Sequence, residues 1–177
     1  VSALRELLEG TDPVGWEVAV HGLRHSRERD GWLCLESVAL ECVSMLASDH
    51  PAVHRPAAMR LLMMGRTKTM DRLFRAVDGH SRAIPRKAAV RFVRAALLSL
   101  PSEHARIVAL RLGVSDGAGE AGATGRALTP AEAGVVAGMS AERVRELEAE
   151  AWAIVQSPRP WSAVAHLVTI SESPLPL

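Results

Sequence analysis

Two helix-start signals stand eleven residues apart late in this chain, at Thr129 and Ser140, with Gly138 just before the second. That spacing confines residues 129–155 to two short helices meeting at a corner. Thr129 caps the first helix and Pro130 opens it, where a missing N–H costs nothing. Gly134 and Ala137 are small enough to let the helices approach, and Gly138 suits a left-handed residue closing the first one. Met139 supplies an apolar plug in the turn. Ser140 caps the second helix, with Arg143 at its third position, so the reciprocal capping box is missing there. Val144, Leu147, Ala151 and Ile154 recur at helical spacing and are expected to point inward. A helix-turn-helix of this kind lays its second helix in the major groove of DNA.

The rest of the chain repeats the same punctuation. "SALRELLEG" runs from a serine cap to Gly10, and "DPVGWEVAVHGLRHSRE" has Asp12 as cap and Pro13 at the first helical position, with Trp16, Val20 and Leu23 in one stripe. "GWLCLESVALECVSMLAS" places Leu33, Val38, Cys42, Met45 and Leu46 on an apolar face. "HPAVHRPAAMRLLMMG" restarts after Asp49 and stops at Gly65. "TKTMDRLFRAVDGH" and "IPRKAAVRFVRAALLSL" follow, the latter with Ala88, Phe92, Ala95 and Ala96 together. Tyrosine is absent, aromatics make up 3% of the chain, and period-two alternation is scarce, so little sheet is expected. The expected fold is all-α: an N-terminal helical bundle or short helical-repeat stack over 1–95, then a helix-turn-helix module over 96–177. Within that module the five-glycine stretch 113–127 reads as a loop. A last helix starts at Pro160, before a frayed end, "SESPLPL".

From Ala96, "ALLSLPSEHARIVALRLGVSDG", "RALTPAEAGVVAGMSAERVRELEAEAWAIV" and the order of their parts resemble region 4 of the bacterial sigma-70 family. The shared features are "LP" before a helix, "IVALRLG" closing it, "DG" in the loop, and the Leu-Thr and Gly-x-Ser-x-Glu-Arg-Val-Arg signatures. The resemblance covers about sixty residues, interrupted by an insertion at 118–125. It implies promoter DNA and the β flap of RNA polymerase as partners, with Glu142, Arg143 and Arg145 facing bases. Arg111 and Thr129 would then stand toward the backbone, with Ser140 also among the DNA-binding residues. The family usually carries Arg-Glu-Arg-Ile/Val-Arg-Gln where this chain has Ala141 to Glu146. The first Arg and the Gln are therefore replaced here, and a typical later Lys is Glu150. Nothing in 1–95 resembles the sigma segment that melts DNA, so a complete sigma factor is not expected.

Charge sharpens the question. Residues 55–94 hold eleven basic and two acidic side chains in a chain whose net charge is +1. A block this basic suits a polyanion, with Arg82, Arg86, Lys87 and Arg91 as candidate phosphate contacts; it also suits a helix surface facing the chain's own acids. The second helix of the motif, by contrast, carries Glu142, Glu146, Glu148 and Glu150. Those carboxylates repel phosphate, which makes a protein-binding module, an adaptor or anti-sigma-like protein that no longer touches DNA, the alternative function.

His21/His25 and His50/His54 are each spaced to share a metal ion, but scattered surface histidines have the same spacing, and no metal or other cofactor is expected. Met59, Met63, Met64 and Met70 suit core filling, and the four tryptophans suit partly buried anchors. Cys34 and Cys42 read as buried thiols. No catalytic set is legible, so no enzyme is expected. No apolar run reaches membrane-spanning length and the opening residues carry no leader pattern, so a soluble cytoplasmic protein is expected.

Overall fold

The computed structural model describes residues 2–26, 29–77, 83–114 and 126–169. Among them no strand occurs, and the chain is all-α as expected. The helices are α1 (Ser2–Glu9), α2 (Pro13–His25), α3 (Arg29–Ala47), α4 (His54–Met64), α5 (Lys68–Val77), α6 (Arg86–Leu98), α7 (Ser102–Leu112), α8 (Pro130–Ala137), α9 (Ala141–Gln156), α10 (Trp161–Val164) and α11 (His166–Thr169). A 3-10 turn, Pro51–Val53, precedes α4, so that helix starts later than Asp49 suggests. Arg82, most of the glycine-rich loop, the insertion at 118–125 and the final "SESPLPL" lie outside the described residues. Among the described residues no helix is long and apolar enough to cross a membrane.

Two apolar cores organise these helices. The larger gathers Leu23, Leu35, Leu46, Leu61, Met70 and Phe92 from α2 to α6, together with Val108 and Ala109 of α7 and Ala151 and Val155 of α9. The smaller holds Ile107, Leu110, Leu128, Ala133, Val144 and Leu147, with Ala137 and Met139 packed against it. Two helices therefore serve both: α7 contributes to each, and the first half of α9 closes the small core while its second half enters the large one. α6 also runs through residues 95 and 96, where a division into two parts is expected.

Sequence periodicity misassigns two positions. Val155 is buried where Ile154 is expected, and Ile154 is half-buried. Val155 stands eleven residues, about three turns, after Val144 and so continues the inward stripe, whereas Ile154 falls to its edge. Leu33 is exposed, as is Trp32, because α3 turns that side to solvent while Cys34, Leu35 and Val38 face α2 and α4. Both cysteines are free and buried, and burial pushes the Cys42 thiol up to about 12, which keeps it protonated and unreactive. The Met59–Met64 cluster and Met70 are core, as their composition suggests.

The termini of the helices explain much of the arginine content. A helix leaves its last carbonyls without partners, and a guanidinium can satisfy them. Here arginines from one element repeatedly close another: Arg24 Nη1 donates to Met64 O at 2.6 Å, Arg60 Nη2 to Gly10 O at 2.5 Å, and Arg86 Nε to Val77 O at 3.1 Å. Arg91 Nη1 donates to Leu46 O and Ser48 O at 2.6 and 2.9 Å, while Arg159 Nη2 reaches Ser99 O at 3.2 Å. At the other polarity, Glu36 of α3 accepts from the backbone of Lys68 and Thr69 at 2.5 and 3.1 Å, and so caps the start of α5.

Candidate nucleic-acid interface

The corner between α8 and α9 is built as its residues require. Thr129 and Glu132 form a full capping box, with Glu132 N donating to the threonine hydroxyl at 3.3 Å and Thr129 N to the glutamate at 2.8 Å. This reciprocal cap carries the Thr-x-x-Glu signature at residues 129–132, one helix before Ser140, where the third helical position is Arg143. Gly138 closes α8 in the left-handed region at φ 72°, where a side chain is disfavoured. Gly134 lets the two segments touch: a Cβ there would stand 2.6 Å from Met139 O. Ser140 accepts from Arg143 N at 3.1 Å and starts α9.

Hydrogen bonds from Arg126 and from Thr129 hold the Glu132 carboxyl down to about 2, well below the ordinary 4.5. Because the folded-state value is depressed, the cap stabilises α8 fully above the unfolded value near 4.5 and loses that contribution as pH falls toward 2. Carboxyl NMR titration should give Glu132 a midpoint near 2; a midpoint near 4.5 would mean the box is open in solution.

On α9 the charged residues sort by side. Arg143 sits among three carboxylates: Glu146 at 3.1 Å, and Glu150 and Glu103 at 3.9 Å. Beside it His104 Nε2 and Glu150 are 2.9 Å apart. Glu142 and Arg145, by contrast, lie 3.6 Å apart with side chains 77% and 60% exposed, so both are solvated. Arg111 is tied to Glu148 at 2.9 Å and to the carbonyl of Leu128, which fixes α7 against α9 and the chain entering α8.

No family model, curated protein or solved structure matches this chain.

The structure therefore groups some of the candidate residues and disperses others. Ser140, Glu142, Arg143 and Arg145 share the first turns of α9, and Thr129 stands at the start of α8. The basic block does not join them. Arg91 is 6% exposed, with its guanidinium on helix-end carbonyls; Lys87 pairs with Asp49 at 3.0 Å; Arg86 closes α5. Of the candidate phosphate contacts, Arg91 needs correction, because its guanidinium is buried on Leu46 O and Ser48 O, while Arg86 and Lys87 are exposed, the first with Nε on Val77 O and the second beside the exposed Asp49. Local charge density could not reveal the burial of Arg91, since the carbonyls it satisfies lie 43 and 45 residues away in sequence. Arg66, Lys68, Arg72 and Arg75, at or next to α5, are exposed as well.

The histidine pairs do other work. The rings of His21 and His25 lie 4.2 Å apart, and buried His54 has Nε2 at 2.9 Å from Ser48 O. Among the described residues no group of three or more metal-ligating side chains stands together.

Proposed function

We propose that this chain is a transcription-associated regulator that docks its helix-turn-helix on promoter DNA through the first turns of α9, without being a complete sigma factor. The observation that carries this is the solvated Glu142–Arg145 pair at the start of a capped second helix. Glutamate accepts from cytosine N4 and arginine bonds guanine O6 and N7. Residues three apart on a helix present both groups to one groove. The resemblance to sigma region 4 supports the same surface and adds the polymerase β flap as a partner.

Fluorescence anisotropy with labelled duplexes tests it. Binding should weaken linearly in log affinity against log salt, and Arg145→Ala should cost about 1–3 kcal/mol on the preferred sequence. Absence of duplex binding even near ~50 mM salt, where backbone attraction is strong, would sink it.

A second reading has its own observation. Arg143 is neutralised by three carboxylates, and on α8 Val135 is 85% exposed with Val136 beside it. An acidic and apolar surface of this kind suits a basic protein partner. Nuclease-resistant capture of RNA polymerase subunits by a chain that fails to bind duplex would favour it.

A further inference from the structure

Helical spacing divides α9 into two charged sides. Arg143, Glu146 and Glu150 face the start of α7, where Glu103 and His104 wait. Arg145, Glu148, Trp152 and Gln156 follow at intervals of three, seven and eleven, which at 3.6 residues per turn aligns them on another side. That second side borders a groove of about 580 Å³ between α5, α7 and α9, lined by Arg66, Arg75, Arg111, Phe74, Trp152 and Gln156.

The charges in this groove are unequal in their commitments. Arg111 is held by Glu148. Arg66 is 3.5 Å from Asp71, with 65% of its side chain exposed. Arg75 is exposed and has no ion pair among the described residues; the same holds for Arg72 and Lys68 on the same helix. Cations therefore outnumber the two carboxylates, Asp71 and Glu148, that line the groove. Arg75 is also well placed: Phe74 packs edge-on against Trp152 at 4.4 Å, and Glu36 anchors the start of α5. The Phe74–Trp152 contact joins its helix to α9.

We infer that the α5–α9 groove seats the phosphate backbone of the duplex that α9 reads, with Arg66 and Arg75 as its contacts. This rests on the DNA-binding reading of α9. A rise of 1.5 Å per residue puts Trp152 about 10 Å along α9 from Arg145, on the order of the ~12 Å width of the major groove. A strand bordering the groove that Arg145 enters thus passes Arg75. These two residues take the role that local charge density suggests for 82–91, and the acids on the far side of α9 stay clear of this strand.

The test uses the full chain and labelled duplexes of varied sequence, titrated across salt. R66Q/R75Q should lose about tenfold in affinity on every duplex, and its plot of log affinity against log salt should flatten by about two. R66K/R75K, which keeps the charge, should regain most of both. If R66Q/R75Q matches wild type in affinity and slope while wild type binds, the groove is not the seat and DNA reading by α9 stands. If the lysine variant is as weak as the glutamine one, charge is not the cause and the inference is overturned. If wild type binds no duplex at ~50 mM salt, both the inference and the DNA reading of α9 fall.

Discussion

Arg91→Glu should unfold this protein rather than merely weaken a contact with DNA. The guanidinium is buried and donates to Leu46 O and Ser48 O at the end of α3. Removing it takes the donor from Leu46 O, while Ser48 O keeps His54 Nε2 at 2.9 Å, and Arg91→Met should cost about 1–3 kcal/mol on that account. A glutamate there would also bury a carboxylate against carbonyl oxygens, and about 3–5 kcal/mol is expected. Urea denaturation of the two variants checks both values. If Arg91→Glu keeps the wild-type midpoint and loses only duplex affinity, Arg91 lies on the surface and belongs to the interface after all.

Gly65→Ala should be nearly as damaging. Gly65 ends α4 at φ 66° and ψ −151°, a conformation that residues with a Cβ scarcely populate. An added Cβ would stand 2.6 Å from Pro158 N and 2.9 Å from Gln156 O, both backbone atoms. The chain leaving α9 is seated here, with Arg66 N donating to Gln156 O at 2.8 Å and Arg159 N to Leu62 O at 3.3 Å. Strain and overpacking together should cost about 3 kcal/mol. Hydrogen exchange at the Arg66 amide should also lose protection. A loss below about 1 kcal/mol, with that amide still protected, would show that the segment after α9 adapts freely.

The second variant matters for function because this joint sets how α9 meets the bundle. Ala151 and Val155 enter the large core while Val144 and Leu147 close the small one. A shift at Gly65 would therefore move the groove beside α5 relative to the first turns of α9. Duplex affinity and stability should fall together in Gly65→Ala, whereas R66Q/R75Q should lower affinity alone.

Local rules were enough for the helices and their ends. Capping at Asp12, Thr129 and Ser140, the left-handed Gly138, and apolar residues at helical spacing each depend on neighbours within a turn or two. Such short-range effects can be read off a string of residues, and the all-α class follows from them. The apolar plug at Met139 and the buried cysteines were legible for the same reason. The slip from Ile154 to Val155 is a choice between spacings of three and four after Ala151, and regular helical periodicity from Val144 favours Val155.

The charges could not be assigned in that way. An arginine has the same formula whether it closes a distant helix, pairs with Asp49 or faces water, and sequence separations of 38 to 60 residues decide among these for Lys87, Arg91 and Arg159. Packing alone revealed that Arg91 is spent inwardly while Arg86 and Lys87 stay exposed, that Glu146 and Glu150 gather about Arg143, and that Arg75 and Trp152 line one groove. Electrostatic roles depend on which groups meet across the fold; helix boundaries depend on which residues are adjacent along it.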